Sequence, residues 1–193
     1  MKKIFVVLIS SVLALSMTGC MSRNGESLEN VNTADEPNAD NIHSTDYENN
    51  LNGLEKYLIE LDYIPQKSEP TEMLCTVIGA VAGDRYIFTV NSSRVVVELY
   101  EYEPDNLNDD AMRVINEVQK DGEFHVFASE NFSDDTYQAT LSDNQKYLMI
   151  YTDSSESEDN TKRKENVEKA VTAFNGGKTT EKTSSDSKAE SSK

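Results

Sequence analysis

Apolar and polar positions follow two periods along this chain, and the periods mark out its elements. Tyr47, Leu51, Leu54, Leu58 and Leu61 recur three or four residues apart, which puts them on one helical face with Glu48, Glu55 and Glu60 largely opposite. Pro65 stops that helix. The spacing returns in Ala111, Ile115 and Val118, where Asn108 or Asp109 caps a helix and Gly122 ends it. A further stripe of Val167, Ala170, Val171 and Phe174 is closed by Gly176-Gly177. Glu72 to Ala82 carries mixed signals. Its Thr, Val and Ile suit a strand, but Pro70 resembles a helix start and Gly83 a C-cap, so a helix is expected.

Elsewhere the period is two. Tyr86 to Val90 and Arg94 to Tyr102 flank the turn Asn91-Ser92-Ser93, and Tyr137 to Leu141 and Lys146 to Tyr151 flank Ser142-Asp143-Asn144-Gln145. Glu123 to Ala128 adds a fifth strand. An offset of 51 residues lays the second hairpin on the first, matching Asp84 with Asp135, Tyr86 with Tyr137, Thr89 with Thr140 and Tyr100 with Tyr151. Each hairpin is followed by an acidic loop and a helix, so the chain reads as two hairpin-helix pseudo-repeats. The expected fold is α+β: an antiparallel sheet of about five strands, with helices packed on one face.

Both ends stand apart from this core. Residues 20–45 are rich in Asn, Glu, Asp and Ser and cannot bury enough surface to offset chain entropy, so a disordered acidic tether is expected. Residues 176–193 form a low-complexity tail, leaving residues 46–175 as one globular domain. Residues 1–19 have the three parts of an export signal: Lys2 and Lys3, an apolar stretch from Ile4 to Met17, and the small pair Thr18-Gly19 before Cys20. The stretch is too short for a permanent span, which needs about 20 apolar residues.

At these residues the chain resembles a bacterial lipoprotein precursor, whose lipobox here reads Met17-Thr18-Gly19-Cys20. Met17 departs from the leucine usual at that place. The resemblance implies cleavage before Cys20, acylation of its thiol and amine, and a membrane-anchored extracytoplasmic domain. Each buried acyl methylene contributes ~0.8 kcal/mol, so two or three chains hold far better than one. The domain itself is similar only to small cell-surface lipoproteins of Gram-positive bacteria, which implies no activity.

Charge narrows the partners. The chain has 35 acidic and 18 basic side chains, and losing Lys2 and Lys3 with the signal leaves 16 basic ones and a formal charge of −19. Nucleic acid is excluded, because its binding depends on Lys and Arg displacing counterions. A domain lying flat on anionic lipid is disfavoured because its own negative field repels that surface, so the acyl chains anchor alone.

Chemistry is sparse. With Cys20 acylated, Cys75 is the remaining thiol, and its apolar surroundings make it a small buried hydrophobe. Alternation in the second strand of each hairpin puts Val96, Tyr100 and Tyr102 with Tyr147, Met149 and Tyr151 on one sheet face. An open platform of that kind binds a glycan or peptide; the first helix lying over it would make the same tyrosines core. Glu103, Asp105, Asp109 and Asp110, and then Asp153, Glu156, Glu158 and Asp159, cluster in equivalent loops. They lack the order and glycine of a calcium loop and are explained by helix capping, so no metal or cofactor is expected. No nucleophile elbow, zinc or phosphate-loop motif occurs. The expectation is a non-catalytic binding or accessory module with an envelope protein, peptide or glycan as partner. The alternative is a small cell-envelope hydrolase using His125 and nearby carboxylates.

Overall fold

The computed structural model describes residues 30–31, 41–127 and 135–177. The signal, Cys20 and most of the expected tether and tail lie outside the described residues. The fold is α+β. Five antiparallel strands run in the order β2 (Thr71–Glu72), β3 (Ala82–Val90), β4 (Ser93–Glu101), β8 (Tyr147–Asp153) and β7 (Thr140–Leu141). The two-residue strand β1 (Asn30–Val31) pairs in parallel with Thr89 and Val90, on the outer edge of β3. A second, two-stranded sheet joins β5 (Glu123–Val126) to β6 (Asp135–Gln138).

The first hairpin closes more tightly than its sequence suggests. Asn91 and Ser92 both take positive φ (49° and 65°), and Ser93 already pairs with Val90 as the first residue of β4. Two left-handed residues give the primed turn whose twist matches that of the flanking strands. In the second hairpin the first strand is broken at Ala139. Its beginning, β6, leaves the main sheet to pair with β5, and only β7 stays on β8.

Helices cover both faces of the main sheet, not one as expected. On one face α1 (Leu51–Glu60) and α3 (Glu158–Thr172) pack on Tyr86, Phe88, Val97, Leu99, Met149 and Tyr151. On the other α2 (Asp109–Asp121) and Phe124 of β5 pack on Tyr100, Tyr102, Leu148 and Ile150. Leu54 and Leu58 of α1 and Val114 of α2 are fully buried. Each such side chain contributes about 1.5–3 kcal/mol relative to exposure.

The repeat is therefore one of element order. A two-fold axis normal to an antiparallel pair keeps every side chain on its own face. The register pairs Val97 with Tyr151 and Tyr100 with Leu148, so Tyr100 and its 51-residue equivalent Tyr151 sit on opposite faces. Their helices α2 and α3 follow them to opposite sides.

The caps explain where the helices begin. Asn50 accepts from Gly53 N, and Leu51 N donates to Glu101 on β4, so α1 starts after Tyr47. Glu55 is buried, against the expectation that it lies opposite the apolar stripe. α2 is capped by Asn108 and closed by Gly122 at φ 73°, as expected. α3 begins at Glu158 behind a Ser157 cap, nine residues before its apolar stripe. Residues 72–82 form no α-helix. A single 3-10 turn, Thr76–Ile78, ends on Gly79 at φ 69°, where a Cβ would lie 2.5 Å from Ala111 N. Gly83 is a strand residue: a Cβ there would meet the Tyr100 ring at 2.5 Å and Cys75 Sγ at 2.9 Å.

Candidate functional site

The expected tyrosine platform does not form. Cross-strand partners share a face, so Tyr147, Met149 and Tyr151 project with Glu101, Leu99 and Val97, while Val96, Tyr100 and Tyr102 project the other way. Tyr147, Met149 and Tyr151 are roofed by α1 and α3, and Tyr100 and Tyr102 by α2. Val96 is half-buried. The Tyr100 hydroxyl donates to Glu98 at 2.8 Å and that of Tyr147 to Asn49 at 2.9 Å. These tyrosines are core, and burial raises the pKa of each hydroxyl.

The remaining sequence candidates separate in the same way. Asp109 and Asp110 lie in the first turn of α2, and Glu158 and Asp159 in that of α3, where carboxylates favour the helix dipole. Among the described residues no three His, Cys, Asp or Glu side chains converge as a metal site. Asp153 instead joins a structural knot. It accepts from Ser93 Oγ and from Asn160 Nδ2 (2.8 Å), which ties β4 and β8 to the start of α3. His125 is half exposed on β5, 3.7 Å from Glu117, and lines neither cavity described below. Cys75 donates to the Met73 carbonyl at 3.2 Å. Burial and the Asp84 and Glu72 carboxylates push its thiol pKa up, which lowers its reactivity.

Two buried ionisable groups hold α1 and its C-terminal corner. Glu55 faces Asp84 and Tyr86 of β3, and its Oε1 has no hydrogen-bond partner among the described residues. Burial, then the Asp84 carboxyl beside it, push the Glu55 pKa up to about 8, so it is held protonated at neutral pH. Arg163 of α3, 8% exposed, donates from Nη2 to the carbonyls of Asp62 (2.9 Å) and Tyr63 (2.8 Å).

An opening occurs where the second hairpin breaks. Ser142 N donates to Tyr147 O at 2.8 Å, so 142–147 and 140–149 are the hydrogen-bonded pairs of this ladder and Leu141–Leu148 is not. The N–H and C=O of Leu141 therefore turn away from β8. A groove of about 380 Å³ follows this edge, lined by Val118 and Gln119 of α2, Thr140 and Leu141 of β7, and Asp143 and Gln145 of the turn. A smaller hollow of about 60 Å³ flanks the strand on the α3 side, between Gln138, Tyr151, Lys164 and Glu168. The rim is fixed by its own bonds. Asp143 N donates to Thr172 O (2.8 Å), Asn144 Oδ1 accepts from Lys146 N (3.1 Å), and Gln145 holds φ 59°.

Periodicity had no means of finding this groove, because it follows from a two-residue edge strand and the splay of β6. Ala139 between the strand halves is its one trace in the sequence. Chemically the lining offers amides, a hydroxyl, a carboxylate and free strand backbone, a set suited to holding a polar chain. No protein-family model matches the sequence, and comparisons with curated proteins and with solved structures find no match.

Proposed function

We propose that the chain is a lipid-anchored, extracytoplasmic module that binds a partner at the cell envelope without transforming it. The observation that carries this reading is the sequence Met17-Thr18-Gly19-Cys20 behind Lys2, Lys3 and a short apolar stretch. Among the described residues no helix is long and apolar enough to cross a membrane, which is in keeping with an anchor supplied by acyl chains. The groove along β7, rich in hydrogen-bonding groups, supports binding as the role of the domain. The rival hydrolase has less support, because His125 stands on β5 outside that groove.

Anchoring is tested by fractionating cells that express Cys20→Ala. The variant is expected to leave the membrane fraction or to accumulate uncleaved, and unchanged retention of a processed chain would refute acylation. Binding is tested by crosslinking the lipidated protein on intact cells. One stoichiometric partner is expected, and repeated recovery of none counts against the module.

A further inference from the structure

We propose that the groove along β7 receives an extended, cation-bearing peptide segment of the partner protein, which adds to the sheet as a short edge strand through Leu141. The proposal rests on the binding-module reading and names the class of partner for it. An unpaired edge is a template for a further strand, and main-chain bonds then supply the affinity.

The opposite edge of the sheet is already occupied in part, since β2 and β1 both pair with β3. On the β7 side the outward N–H of Ala139 is taken by Gly122 O and that of Asp143 by Thr172 O, which leaves the Leu141 N–H and C=O unmatched between them among the described residues. One residue of an incoming strand fits there, with its side chain on the α2 flank beside that of Leu141 and both its neighbours directed to the α3 flank. Both flanks are hollow, and Gln119, Thr140 and Gln145 offer polar groups to a peptide backbone.

Charge selects the occupant. Acidic side chains outnumber basic ones by 35 to 16 once the signal is lost, Asp143 stands exposed on the rim, and Lys164 in the α3-side hollow is paired with Glu168 at 3.8 Å. A lysine- or arginine-bearing segment is drawn to such a surface and an acidic one repelled. With a single residue paired, the motif is short and its affinity weak.

The probe is a blocked heptapeptide of alternating lysine and valine, added to the full lipidated protein in detergent micelles and followed by amide hydrogen exchange. Exchange at Leu141 is expected to slow by about tenfold at about 1 mM peptide. A peptide of the same charge with its alternate amides N-methylated should give no protection. Leu141→Pro deletes the outward donor and leaves the bonds of Thr140 and Ser142 to β8, so it should weaken binding about tenfold, with a fall of a few degrees in melting temperature because the Leu141 side chain packs on the α2 cluster. Should that proline unfold the edge, Gln119→Trp, on the exposed rim, fills the groove instead and should block the peptide.

Unchanged exchange at Leu141, equal binding of the N-methylated peptide, or full affinity in a well-folded variant would each overturn the proposal. If the peptide fails while a cellular partner still crosslinks elsewhere on the domain, the groove assignment falls and the module reading stands.

Discussion

Replacing Glu55 by Gln should make this protein more stable as the pH rises. In the folded state the Glu55 carboxyl is buried against Asp84 and Tyr86, and its pKa stands near 8 instead of 4.5. Between those values the folded chain holds a proton that the unfolded chain releases. Stability contributed by this group is thus complete below pH 4.5, falls as pH rises toward 8, and levels off above it. At 1.36 kcal/mol per unit the whole displacement corresponds to about 5 kcal/mol. Water entry and movement of Asp84 on ionisation relieve part of it, so roughly 2–4 kcal/mol is the expected fall. Gln keeps the shape and carries no charge. Urea unfolding of Cys20→Ser protein, followed by helical circular dichroism from pH 5 to 8.5, measures the difference. Wild type and Glu55→Gln should nearly coincide at pH 5, with the variant ahead by those few kcal/mol at pH 8.5. A wild-type stability that stays flat over this range, or two curves that run parallel, would refute the buried acid pair.

Arg163→Met should cost about 2–4 kcal/mol, read as a lower urea midpoint at unchanged slope, because the Asp62 and Tyr63 carbonyls lose a charged donor. Arg163→Lys should recover little of it, since the shorter side chain does not carry its ammonium to the Nη2 position and does not stack over the Tyr63 ring. Gly83→Ala should cost about 1–3 kcal/mol, as the new methyl meets the Tyr100 ring and the Cys75 sulfur. Pairing it with Tyr100→Leu should give a smaller loss than the sum of the two single changes, and strict additivity would contradict the contact.

Much of the architecture was legible because it depends on local chemistry. Asn108 and Gly122 announced α2, and the two turn regions announced the hairpins. What failed depends on register. Both faces of β4 and β8 are covered, so these strands are apolar on both sides and alternation does not say which residues lie together. One step of slip exchanges the faces, which is how Tyr100 and Tyr147, read as neighbours, come to lie on opposite sides. Glu55 was legible and misread. It follows Leu51 by four residues and Leu54 by one, the i, i+4 place on the buried stripe, but its charge suggested the outer face. The segment 72–82 was decided by sites in other elements: Gly79 serves the start of α2 and Gly83 serves Tyr100.

The pairing of β4 with β8 also sets the order in which the protein can be made. Glu98 and Ile150, at the middle of that pairing, stand 52 residues apart in the chain. A chain emerging N-terminus first completes the β3–β4 hairpin while the strand that will seal its flank is still unmade. For that interval Val95, Val97 and Leu99 lack α3, and Tyr100 lacks α2 until Asp121 has emerged. Closure over such a distance slows folding and leaves a sticky intermediate. The nascent hairpin therefore needs shelter until β8 arrives, and a holding chaperone should be most needed while the chain between Glu101 and Tyr147 is being made.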